Sequence, residues 1–179
     1  MNSKIKWITR SAAAIALIIV VQLVTRPLNQ QLLTGSLVNL VLALAALLFG
    51  WSVGAAAAVV SPFIAYILGI NAQILVVPAI AVGNLTYVLV IALLVKLLKK
   101  SALPEFVRNL IAVIAAAVCK FAIQYLLIVK WIAPSFLPAK AQPVMAANFG
   151  VMQLLTACIG GVLACLICPV VRKGIKSKN

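Results

Sequence analysis

Six long apolar runs, separated by short polar or basic breaks, account for nearly the whole chain. The first span covers residues 8–25, its uninterrupted apolar stretch starting at Ser11 after Lys4, Lys6 and Arg10. That opening resembles a signal peptide. No small-x-small cleavage site follows, and the run continues into Gln22 and Thr25, so an uncleaved first span is expected. A polar segment with Arg26, Pro27, Asn29, Gln30 and Gln31 leads to a second run over 34–50 and a third over 53–69. Both are near the lower length for crossing a bilayer, and the turn at Gly50 must be tight. The fourth run covers 72–98, with Pro78 predicting a kink or a first-turn break. The fifth covers 105–131; a loop over 132–143 with three prolines precedes the sixth, 144–171. The pattern predicts an all-α integral membrane protein, one domain of six transmembrane helices over residues 1–179.

Composition agrees. Of 179 residues 66% are hydrophobic and 9% charged, against roughly 45–50% and 25% in soluble domains. The mean hydropathy is +1.25. Fifteen Lys and Arg against one acid give a formal net charge of +14. Most of these bases cluster just outside the apolar runs, without the interleaved aromatics of a nucleic-acid surface, so no nucleic-acid partner is expected; membrane lipid is. With both termini inside, the inner side collects Lys4, Lys6, Arg10, Lys96, Lys99, Lys100, Arg108, Arg172, Lys173, Lys176 and Lys178. The outer side collects Arg26, Lys130 and Lys140, so the positive-inside rule places the termini in the cytoplasm.

One residue breaks the apolar pattern. Lys120 lies in the middle of the fifth run, and an ammonium at that depth is costly unless it is paired or hydrated. The chain's single acid, Glu105, is about 22 Å away along the same helix at ~1.5 Å per residue. Lys120 is therefore neutral, or lines a wet cavity, or takes an anion from outside the chain. Asn84 has a similar depth, and Gln124 is one turn above Lys120 on the same face. Asn39, Asn148 and Gln153 lie in the outer halves of their runs, and Arg26 in the first outer loop is a further cation. Together they predict a cavity open to the outside, lined by amides and floored by one cation. Such amides also bond neighbouring helices without binding anything, and Tyr87 and Tyr125 either stack on a ring or pack.

Small residues repeat at four-residue spacing in Ala12/Ala16 and Gly54/Ala58, the pattern of close helix contact, internal or with another protein. There is no phosphate-binding G-x-x-x-x-G-K-[ST] motif, no His and no acid in the interior of a run, Glu105 standing at the very start of the fifth. ATP hydrolysis, carboxylate-coupled transport, triad hydrolysis and metal catalysis by this chain are therefore not expected, and neither is a cofactor. The four cysteines, including Cys165 and Cys168 in C-x-x-C spacing, lie in apolar runs and read as packing residues. A protein that captures a solute without an engine needs one from elsewhere.

These features resemble the substrate-binding S components of energy-coupling factor (ECF) transporters, the bacterial vitamin importers. The resemblance rests on size, six spans, cytoplasmic termini and an alanine-rich first span. It rests also on Thr34-Gly-Ser-Leu-Val-Asn39, Phe49-Gly-Trp, Ser61-Pro62-Phe63, Pro78-Ala-Ile-Ala-Val-Gly83-Asn84 and Lys120-Phe121. It implies a multi-pass subunit of the bacterial plasma membrane that binds a micronutrient near its outer face. The implied partners are a transmembrane coupling (T) protein and two cytoplasmic ATPases, with toppling in the membrane to release the cargo inside. It maps the pocket onto Asn84, Tyr87, Lys120, Gln124 and Asn148, and the docking face for the coupling protein onto Ala12 and Ala16. The outer loops hold few aromatics (Trp131 and Phe136), which disfavours a large stacked ligand such as a flavin. Lys120 favours a carboxylate or phosphate. A stand-alone carrier or channel would instead transport without ATP, and an assembly protein would bind no solute.

Overall fold

The computed structural model describes residues 2–28, 30–70 and 73–176. Asn29, Ala72 at the expected start of the fourth run, and Lys178 of the basic tail lie outside the described residues. Among those described there are eight α-helices and no strand: α1 (Ser3–Thr25), α2 (Gln31–Phe49), α3 (Trp51–Ile67), α4 (Val77–Leu98), α5 (Glu105–Gln124), α6 (Ala133–Phe136), α7 (Gln142–Phe149) and α8 (Val151–Lys176). Five helical stretches are long and apolar enough to cross a membrane; α3, at 17 residues, is the shorter exception. At ~1.5 Å per residue α3 is about 26 Å long, slightly under the ~30 Å hydrocarbon core.

Gly50 alone joins α2 to α3, with φ 89° and ψ 179°. A side chain there would be strained, because that backbone region is essentially open only to glycine. Gly50→Ala should therefore cost about 1–3 kcal/mol, read as a lower thermal unfolding midpoint in detergent. Gly174→Ala is the control, since its Cβ would meet nothing within 4 Å.

Pro78 takes the first-turn alternative. A 3-10 turn at Ile74–Val76 precedes α4, and the proline sits at the start of the helix, where no intrahelical N–H is required. Two expectations from the prolines and the apolar runs are corrected. Helix does not stop at 131: α5 passes into a π-helical segment, Tyr125–Ile132, and on to Phe136. The wider turn precedes Pro134, whose ring would clash with the carbonyl four residues back in a tight α-turn. Nor is the sixth run one helix. It is divided at Gly150, where a Cβ would run into the carbonyl oxygen of Ala146.

The inner faces follow the helical period. On α5 the buried stripe is Asn109, Ala112, Val113, Ala116, Ala117, Lys120 and Gln124. On α1 it is Ser11, Ala14, Ile18 and Thr25, leaving Ala12 and Ala16 exposed. The other small-residue pair is internal: Gly54 and Ala58 are buried, and a Cβ on Gly54 would press on Val88 of α4 at 2.7 Å. Where α8 crosses α2, a Cβ on Gly160 would meet the Leu40 nitrogen at 2.6 Å and the Asn39 Cβ at 2.8 Å. This close approach brings Asn39 to the middle of the bundle.

The two ends of the bundle differ. At one, Arg172 pairs with Glu105 and donates to the Leu47 carbonyl at 3.4 Å. Arg108 donates to the Lys99 carbonyl at 3.0 Å, and Arg10 lies over the Phe49 ring. The start of α1, the end of α8 and most of the described bases gather there. The opposite end contains a cavity.

Candidate functional site

A cavity of about 410 Å³ runs from exposed residues at this opposite end, including Arg26 and Gln30, down to Lys120. Thr34 donates to the Thr25 hydroxyl at 2.7 Å, tying the end of α1 to the start of α2 beside the opening. A second core cluster, containing Val76, Ala79, Ile128, Ile132, Leu137 and Phe149, packs α7 and the π-helical segment against the start of α4. That packing sets Met145, Asn148 and Phe149 on the cavity wall.

Lys120 is 2% exposed and reaches the cavity floor from the inner stripe of α5. Its Nζ donates to Asn39 Oδ1 at 2.6 Å and to Asn84 Oδ1 at 2.8 Å. It also lies 5.5 Å from the centroid of the Tyr87 ring, within cation–π range. Two amide oxygens on two different helices thus serve the ammonium, an arrangement beyond the neutral amine, wet cavity or outside anion that the sequence offers. The sequence does contain both amides, but nothing in it pairs α2 with α5.

The amides are themselves oriented. Asn39 Nδ2 donates to Thr156 Oγ1 at 3.4 Å, which fixes its oxygen toward Lys120. Thr156 donates to the Gln153 carbonyl at 3.1 Å and lies 3.3 Å from Gln153 Oε1. The chain Lys120–Asn39–Thr156–Gln153 joins α5, α2 and α8, with Asn84 adding α4. An ammonium has three donors, and the amides take two. What the floor can offer a solute is the remaining donor and the positive charge.

Of the residues singled out by sequence, the structure brings Arg26, Asn39, Asn84, Lys120, Asn148 and Gln153 to the cavity wall. Tyr87 and Gln124 are not on it. Tyr87 is fully buried one turn deeper on α4, and its hydroxyl donates to the Ala157 carbonyl of α8 at 2.9 Å. Gln124 is also fully buried, packed on Gly83, with Nε2 donating to the Ile80 carbonyl at 3.4 Å. The wall further includes Gln22, Thr25, Gln31, Ser61 and Gln73. The density of polar residues from Gln22 to Thr34 was the available signal for part of this set. Among the described residues no acid lines the cavity, and Phe149 is its one aromatic residue. The cysteines lie elsewhere: Cys165 and Cys168 are buried in or beside the core, and Cys119 is exposed.

The family model described as the substrate-specific component of ECF transporters matches residues 6–172. The chain belongs to that family. The match spans every helix from α1 to most of α8, so it includes both the cavity and the exposed alanine face. Comparison with curated proteins and with solved structures returned no match. S components bind substrate without catalysing a reaction, and the ATPases of these transporters are partner subunits. The chain is thus a multi-pass membrane protein that serves as the substrate-binding subunit of an ECF transporter.

Proposed function

We propose that this S component captures a small anionic micronutrient from outside a bacterial plasma membrane, in the cavity floored by Lys120. In this reading α1, α2, α3, α4, α5 with its π-helical extension, and α8 are six spans. The basic end, with both termini, faces the cytoplasm, as the positive-inside rule favours. The exposed Trp7 and Trp51 at that end and Trp131 at the other fit interfacial anchors. Arg26, Asn39, Asn84, Lys120 and Asn148 contact the solute, and Tyr87 and Gln124 support the site from behind. Ala12 and Ala16 on the outward face of α1 dock the coupling protein, which brings two ATPases.

The observation that carries this reading is the buried ammonium at the foot of a polar cavity without a carboxylate. An arriving anion gains a charge-assisted hydrogen bond from a donor whose burial the fold already supports. Micronutrient uptake into liposomes tests it. Uptake should require the coupling protein, the ATPases and internal ATP together; uptake by the chain alone would make it a stand-alone carrier instead.

A further inference from the structure

The cavity is divided by chemistry. The end of α1, the turn after it and the start of α2 supply mostly polar side chains, among them Thr25, Arg26, Gln31 and Thr34. A different part of the wall is built by α7 and the start of α4. Val144, Met145, Asn148 and Phe149 of α7 line it, at positions i, i+1, i+4 and i+5, which form one continuous helical face. Only Asn148 among them is polar. Val76 and Ile80 also line the cavity, and the same face of α4 reaches Asn84 one turn further in. Met145 and Ile80 pack against the second core cluster yet remain partly exposed. The non-helical backbone at Gly150, with ψ −137°, lets α7 set this face independently of α8.

The two parts of the wall do not penalise a mismatch equally. An amide or guanidinium that the solute leaves untouched keeps water as its partner. A solute hydroxyl pressed onto Met145, Ile80 or Phe149 loses its water and finds no acceptor. Apolar solute surface laid there is instead removed from water, worth roughly fourfold in affinity per methylene. We infer that α7 is the specificity-determining element of the site, holding an apolar part of the solute, a short aliphatic chain or one small ring, against Met145, Phe149 and Ile80. This rests on the capture reading above and adds the residues that select the body of the solute, apart from its charged end.

The test uses the purified full chain in detergent and two pairs of acids that share a carbon skeleton. Cyclohexanecarboxylate is paired with quinate, and hexanoate with gluconate, so that only the hydroxyls differ within a pair. Titrations read by thermal stabilisation should give the apolar member of each pair about 10- to 100-fold higher affinity. Met145→Gln, close to it in size and shape, should reduce that advantage by roughly 3- to 10-fold, and Met145→Leu should retain it. Ala147→Gln, at an exposed residue that does not line the cavity, should change neither. A merely structural role for Met145 would instead lower both members of a pair alike. Equal or tighter binding of quinate and gluconate overturns the inference while leaving the capture reading in place. So does an advantage that Met145→Gln leaves intact. Stabilisation by none of the four acids overturns it as well, and the capture reading then rests on the ATP-driven uptake assay alone.

Discussion

Replacing Lys120 with methionine is expected to weaken solute binding by about 30- to 1,000-fold while leaving the protein folded. Removing one partner of a buried, hydrogen-bonded charge pair typically costs about 2–4 kcal/mol of binding, and each ~1.4 kcal/mol is a decade. The fold should tolerate the change, since methionine is of similar size and its partners are neutral amides, so no buried counter-charge is left unpaired. Asn39 Oδ1 and Asn84 Oδ1 lose their donor. Both residues line the cavity, where water can replace the ammonium. Titration of wild type and variant with the same solute, alongside their unfolding midpoints, checks this. Equal affinities would show that the ammonium supports the bundle and does not recognise the solute.

The second large effect separates binding from transport. Ala12→Leu/Ala16→Leu should reduce ATP-driven uptake to background while leaving solute affinity within about twofold. Both alanines are exposed, so leucines there leave the buried stripe of Ser11, Ala14 and Ile18 undisturbed. Close helix contact needs small residues because two added isobutyl groups hold the backbones apart. In lipid the extra leucines are compatible with the surroundings, so folding is unaffected. Uptake and binding assays on the same preparation check the result. Retained uptake would place the docking face elsewhere on the bundle.

Much of this arrangement was readable from the chain because burying charge in an apolar run has few explanations. Lys120 stood out for that reason, and the structure places it on the inner stripe of α5. Its partners were readable only as candidates, because what joins Asn39 to Lys120 is the approach of α2 and α8 at Gly160. Spacing also placed Gln124 on the same face as Lys120, correctly. Face alone says nothing of depth behind a neighbouring helix, and the side chain packs against Gly83, away from the cavity. Tyr87 shares its helix with Asn84 but lies one turn beyond the cavity floor. Prolines misled in the loop over 132–143, where Pro134 is accommodated beyond a π-helical turn. Periodicity cannot see such a turn. The division of the last run at Gly150 was equally hidden, since apolar residues continue on both sides of it.

Identification of the proteins that co-purify with the tagged chain from its native membrane bears most directly on the central claim, that this is the solute-capturing member of an ATP-driven importer. Mass spectrometry of a mild-detergent preparation should find two ATPases and a transmembrane coupling protein with the wild-type chain. Recovery of the chain by itself under the same conditions, together with uptake that needs no ATP, would contradict the account.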